Sequence, residues 1–185
     1  MDQGAKKLTE GVLWKQILFF SIPLVLSNLL QVLFNMSDIA VVGQFAGSNA
    51  LGSVGSTTTL VALFTGILIG MGSGINVIVA RFYGAQDPEN LEETVHTSLI
   101  LSALIGLALL VLGLALANPI LMLLKTKEEL LDGAALYLRI YFLGMPATGI
   151  YNFGNAVFSA VGNTKKPLIF LSISGAVNIA LNLFF

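Results

Sequence analysis

The chain has 185 residues, of which 56% are hydrophobic and 10% are charged. An average soluble domain carries about 25% charged residues, so this chain has too few polar side chains to cover a water-facing surface. A net charge of −1 gives no electrostatic basis for nucleic-acid binding, and the absence of cysteine rules out disulfides and thiolate metal sites.

Residues 1–13 form a polar N-terminal tail that includes Asp2 and Glu10. The apolar run after it is too long for a secretory signal and has no small-residue cleavage site, so it reads as a retained membrane span. Five apolar segments follow one another over residues 14–42, 54–80, 95–116, 134–161 and 168–185. Segments of about 20 apolar residues cross a bilayer, and in lipid every backbone N–H and C=O must be paired within the segment. These segments are therefore predicted to be helices. The alternation of apolar and polar residues that a membrane barrel needs is missing. The predicted fold is all-α, a polytopic transmembrane bundle over residues 14–185.

The connections carry their own signals. Asp87-Pro88-Glu89 is a helix start, with Asp87 as cap and Pro88 in the first turn. Asn118-Pro119 is expected to close the third span. Thr126 with Glu129 three residues on has the spacing of a capping box leading into the fourth span. The run Gly162 to Pro167 is a tight loop, and the apolar ending Asn182-Leu183-Phe184-Phe185 reads as the cut end of a longer chain.

Lysine and arginine placement predicts orientation. Lys6, Lys7, Lys15, Arg81, Lys165 and Lys166 fall on one side, and Lys125 and Lys127 on the other, a ratio of six to two. The N-terminus is thus expected in the cytoplasm and the chain in the plasma (inner) membrane. Trp14 lies where an interfacial aromatic belt would place it.

Asp38 is the one acid embedded in apolar sequence, in Asn35-Met36-Ser37-Asp38-Ile39-Ala40. A charged Asp at the centre of a span costs about 2.5–3.5 kcal/mol on insertion scales, so its presence points to proton exchange or Na⁺ binding. The competing reading makes Asp38 the outer end of the first helix. At about 1.5 Å per residue it lies roughly 36 Å from Trp14, far enough to reach the headgroups. Arg139 either snorkels to the outer headgroups, the reading its position near Asp132 favours, or pairs with Asp38 across the bundle. Asn178 and Asn182 are four apart, and Asn152 and Asn155 three apart, so each pair shares a helix face. The asparagines either join Asp38 in a polar patch or serve as interhelical glue. Gly66, Gly70 and Gly74 make a flat stripe on the second span, expected to receive a neighbouring helix. Pro23 and Pro146 lie inside their segments and are expected to kink them. His96 is alone at the start of the third span, and no phosphate loop, metal cluster or nucleophile constellation is present, so an enzyme is not expected.

Several of these motifs, in order, resemble the multidrug and toxic compound extrusion (MATE) transporters. They are Pro23 followed by Asn35 to Gly43; Gly70-Met71-Gly72-Ser73-Gly74 followed by Ala80 to Ala85; Tyr137-Leu138-Arg139; Gly144-Met145-Pro146; Gly162 to Pro167; and Asn178 to Asn182. The resemblance implies two six-helix lobes related by pseudo-symmetry, with this chain supplying about five helices of the first. It implies an antiporter that exports drugs or other cationic and amphipathic compounds against H⁺ or Na⁺, without a cofactor. Its partners would be the lipid bilayer, the small-molecule substrate and the rest of the transporter. It implies a cation-coupling role for Asp38, and places Asn178, with Asn152 or Asn155, in the same polar network. Asn35 and Asn182 complete the candidate cavity. At Asn182 the family often carries a second acid, and an amide cannot release a proton, so coupling would rest more heavily on Asp38. Two rival readings are a lipid-linked oligosaccharide or polysaccharide flippase of the same superfamily and a non-transporting membrane scaffold. The flippase would need several cations inside its spans, where this chain has only Arg139; the scaffold would not need Asp38.

Overall fold

The computed structural model describes residues 12–184. The tail of residues 1–11, with Lys6 and Lys7, and the terminal Phe185 lie outside the described residues. Among the described residues there is no strand. The elements are α1 (Leu13–Val41), a single π-helical turn (Val42–Ala46), α2 (Gly47–Gly84), α3 (Pro88–Leu123), α4 (Glu128–Leu143), α5 (Met145–Ala160) and α6 (Lys165–Phe184).

Large apolar side chains cover the outside of these helices: Phe19 is 70% exposed, Phe45 78% and Leu123 81%. Water would not tolerate so continuous an apolar surface, and lipid requires it. Within the described residues, the run Trp14–Gly84 and α3 are each long and apolar enough to cross a membrane. Helices α4 and α5 have 16 residues each. Each is about 24 Å long, shorter than a bilayer core of about 30 Å, so the two make one span together.

That span is the predicted fourth segment, and its helix is interrupted at one residue. The helix stops at Gly144 and restarts at Met145, with Pro146 in the first turn of α5. Proline has no N–H for the carbonyl four residues back and its ring crowds that carbonyl, so a continuous helix is disfavoured at this point. The interruption thus falls in the turn before Pro146, where the missing hydrogen bond and the ring clash act. Pro23, by contrast, lies buried inside an uninterrupted α1.

Several helix boundaries differ from expectation, among them that of α6, which begins at Lys165 inside the predicted Gly162 to Pro167 loop. Helix α3 does not close at Asn118-Pro119 but continues to Leu123. It ends where Lys125 turns to φ 56° and the amide of Thr126 reaches back to the Leu121 carbonyl, 3.1 Å away. Thr126 is thereby committed to closing α3. The capping box with Glu129 does not form: α4 is preceded by Lys127, with no side-chain cap. Asp87 does cap α3, accepting from the Asn90 amide N–H at 3.2 Å and from Asn90 Nδ2 at 2.6 Å.

Helices α2, α3, α4 and α5 pack together around an apolar core of Leu60, Phe64, Leu68, Leu109, Leu138 and Phe142, in which Phe64 meets Phe142 edge to face at 4.8 Å. Helix α2 runs parallel to the α4–α5 span in steady register. Ser53 Oγ donates to the Leu130 carbonyl, the Thr65 and Tyr141 hydroxyls share a hydrogen bond of 2.6 Å, and Asn76 Nδ2 donates to the Ala156 carbonyl. Helix α3 crosses α5 at close range: a Cβ at Gly106 would come within 2.7 Å of Pro146 Cα, and one at Gly149 within 2.8 Å of the Ser102 carbonyl.

The predicted close-packing stripe is on the other face of α2. Gly66, Gly70 and Gly74 are exposed, and a Cβ on any of them would meet nothing within 4 Å. It is Gly72 that lies against α5, beside Asn152.

Helix α1 packs mainly on α6 and stands apart from the four-element core. Three contacts fix the two as parallel: Thr164 Oγ1 donates to the Phe20 carbonyl, Phe34 fills the space over Gly175, and Asp38 meets Asn182. Parallel α1 and α6 require an odd number of spans between them, and α2, α3 and the joint α4–α5 span supply three. The result is five spans whose odd members run the same way.

Candidate functional site

Asp38 occupies the last turn of α1, half-buried against α6. The Asn182 amide nitrogen donates to Asp38 Oδ1 and, at 3.5 Å, to Asn178 Oδ1. Asn182 therefore bridges a carboxylate and an amide carbonyl across the α1–α6 seam. Asn178 and Asn182 reach the same point because they are four apart on one helix. The two helices come close enough because Gly175, one turn earlier, has no side chain to keep the Phe34 ring away. The site offers oxygen ligands from Asp38 and Asn178 and donors from Asn182, a set suited to holding a proton or a hard monovalent cation. Among the described residues no group of three or more His, Cys, Asp or Glu side chains converges on a metal site.

The other candidates are elsewhere. Asn35 is exposed on α1. Asn152 spends its amide on the Thr148 carbonyl of its own helix, at 2.9 Å. Asn155 lines a cavity with Tyr151, Phe158 and Phe170 between α5 and α6, near the end of the bundle opposite Asp38. The polar network thus joins Asp38, Asn178 and Asn182 and does not extend to Asn152 or Asn155. Arg139 is exposed and forms no ion pair with Asp38.

Tyr137 entered the sequence reading only within the Tyr137-Leu138-Arg139 motif, and in the structure it is half-buried on the same face of α4 as Tyr141. It stacks on Tyr141 with centroids 6.3 Å apart, and Tyr141 in turn bonds Thr65 of α2. The available signal was the spacing: Tyr137 and Tyr141 are four apart, on one face of a span. Asn76 was also missed, because nothing in the sequence shows that its amide meets a carbonyl on α5.

A multi-pass helical membrane protein, with one embedded carboxylate among the described residues, set between α1 and α6, is what this fold and site define. The MatE family profile matches residues 23–184. The chain is 33% identical over 176 residues to "Probable multidrug resistance protein YoeA" of Bacillus subtilis (strain 168), covering 95% of this chain and 38% of that protein. A crystal structure of MATE in the straight conformation superimposes with a TM-score of 0.90 at 25% identity, covering 100% of this chain and 40% of that one. A structure of MATE in the bent conformation gives 0.86 at 26% identity, covering 92% and 38%. The chain belongs to the MatE family, whose members are multi-pass membrane transporters. It spans about 40% of the length of the relatives it matches.

Proposed function

We propose that this chain is the N-terminal lobe of a cation-coupled antiporter that exports cationic or amphipathic compounds, in exchange for H⁺ or Na⁺ taken up at Asp38. The observation that carries this reading is the Asn182 bridge between Asp38 and Asn178, the only embedded carboxylate among the described spans joined to a second helix. Ionised, Asp38 accepts from Asn182. Protonated, it carries a donor of its own into the same seam. A Na⁺ ion would instead draw the Asp38 and Asn178 oxygens together. Asn182 cannot titrate, so the change of charge falls on Asp38 alone.

Helix α1 is placed to respond. It lacks one backbone hydrogen bond at Pro23, and its main partner is α6 rather than the core. Cation uptake at the seam shifts the balance between two arrangements of α1, and only by the difference in affinity for the two. Export requires the remainder of the transporter, which supplies the second wall of the drug path. The excess of lysine and arginine at the start of α1, the end of α2 and the start of α6 supports a cytoplasmic N-terminus in the plasma membrane.

The test follows a fluorescent cationic dye in membrane vesicles carrying this chain together with the remainder of its transporter, under an imposed proton or sodium gradient. Dye movement is expected with native Asp38 and its loss with Asp38→Asn. Equal movement in both would place coupling outside this seam.

A further inference from the structure

A groove of about 540 Å³ lies between α2 and α3, towards the turn that joins them. Its floor is apolar, formed by Ile75, Ile78 and Phe82 of α2 and Leu101 of α3. Its mouth is polar, formed by Asn90, Glu93 and Thr94. Glu93 is the one charged side chain in the lining, and no ion pair among the described residues engages it. The surrounding turn carries Asp87, Glu89, Glu92 and Glu93 against Arg81, four acids to one base. The other helix ends on this side carry Lys15, Lys165 and Lys166, so the negative charge is local to this hairpin.

The depth of the groove has a direction. Helix α3 has 36 residues, about 54 Å, against a hydrocarbon core of about 30 Å, so its first two turns stand at headgroup level. Glu93 is at that level. Leu101 lies eight residues further on, about 12 Å towards the bilayer centre. A molecule with a cationic head and an alkyl tail in this leaflet is oriented the same way, head at the surface and tail inward. From this match of charge and depth we infer that the α2–α3 groove binds an amphipathic monocation, with its head against Glu93 and its tail over Ile75 and Leu101. The inference rests on the export reading for its physiological sense, but binding here needs neither a gradient nor Asp38.

The experiment places this chain, together with the remainder of its transporter, in nanodiscs of zwitterionic lipid with an alkyltrimethylammonium photoprobe bearing a benzophenone in its tail, and maps adducts by mass spectrometry. Adducts are expected on the segments around Met71–Ile78 and Leu101. Glu93→Gln should weaken labelling about two- to fivefold, the range an exposed ion pair supports. Gly74→Leu should abolish it: Gly74 lines the groove, a Cβ there meets nothing within 4 Å, and leucine is a better helix former than glycine. A hydroxyl-headed probe with the same tail should label weakly and ignore Glu93→Gln. Equal labelling by both probes, labelling unchanged in either variant, or a phospholipid photoprobe that the cation does not displace would overturn the proposal. Loss of dye transport in Asp38→Asn with groove labelling intact would separate this site from the coupling seam.

Discussion

Asp38 is legible in the sequence because its cost is legible: an ionisable group inside apolar sequence has to be bought with function or with a partner, and here the partner is Asn182. Asn178 and Asn182 are legible by their spacing. Tyr137 was hidden, because a tyrosine in a span carries no such cost and the side it faces depends on packing. At the loop between α2 and α3 the chemistry is local and the sequence reads it directly. The two donors of Asn90, side chain first and backbone second, hold the Asp87 carboxyl below its ordinary value of 3.8. A depressed carboxyl stabilises the fold above that value and loses its contribution as pH falls through the lower, folded one. The cap of α3 should therefore hold at neutral pH and loosen only below 3.8. Hydrogen exchange at the Asn90 amide should accelerate in that acid window, and Asp87→Asn should remove the pH dependence.

At the level of the helices, the number and order of spans are readable and their faces are not. A soluble helix announces its buried side by polarity, but a helix in lipid is apolar all round. That is why the stripe of Gly66, Gly70 and Gly74 was assigned to packing, while the glycine that packs is Gly72 on the opposite face. The same ignorance hid the crossing of α3 and α5 at Gly106. The two kinds of glycine should separate cleanly in thermal unfolding in one detergent. Gly106→Ala forces α3 away from the Pro146 backbone and should cost about 1–3 kcal/mol, as overpacking does. Gly66→Ala enters open space and should be neutral or stabilising by up to about 1 kcal/mol. The break at Gly144 was half legible: Pro146 marked the neighbourhood, but where the helix restarts is set by how Met145 and Pro146 seat against α3.

For the whole molecule, the arrangement is a four-element core with a parallel pair, α1 and α6, alongside it. The charge pattern along the chain gives the two ends of the bundle and the helix directions agree with it, Lys127 at one end and Lys165 at the other. Because the chain has no cysteine, single replacements report sidedness without background. In sealed vesicles of known orientation, Lys165→Cys should react with an impermeant maleimide from the cytoplasmic side and Lys127→Cys from the opposite side. Reaction of both from one side would break the five-span topology.

The pairing of Asp38 with Asn182 also has a history in time. The two residues are 144 apart in sequence. At a synthesis rate of about 5–20 residues per second, α1 waits roughly 7–29 s in the bilayer before its mate is made. During that interval its carboxylate has no amide to meet and its Gly175-facing surface no helix to cover it. Helix α1 therefore docks only after α6, the last helix described, has been made, and until then the nascent chain is open to quality control at the residue on which its proposed function depends.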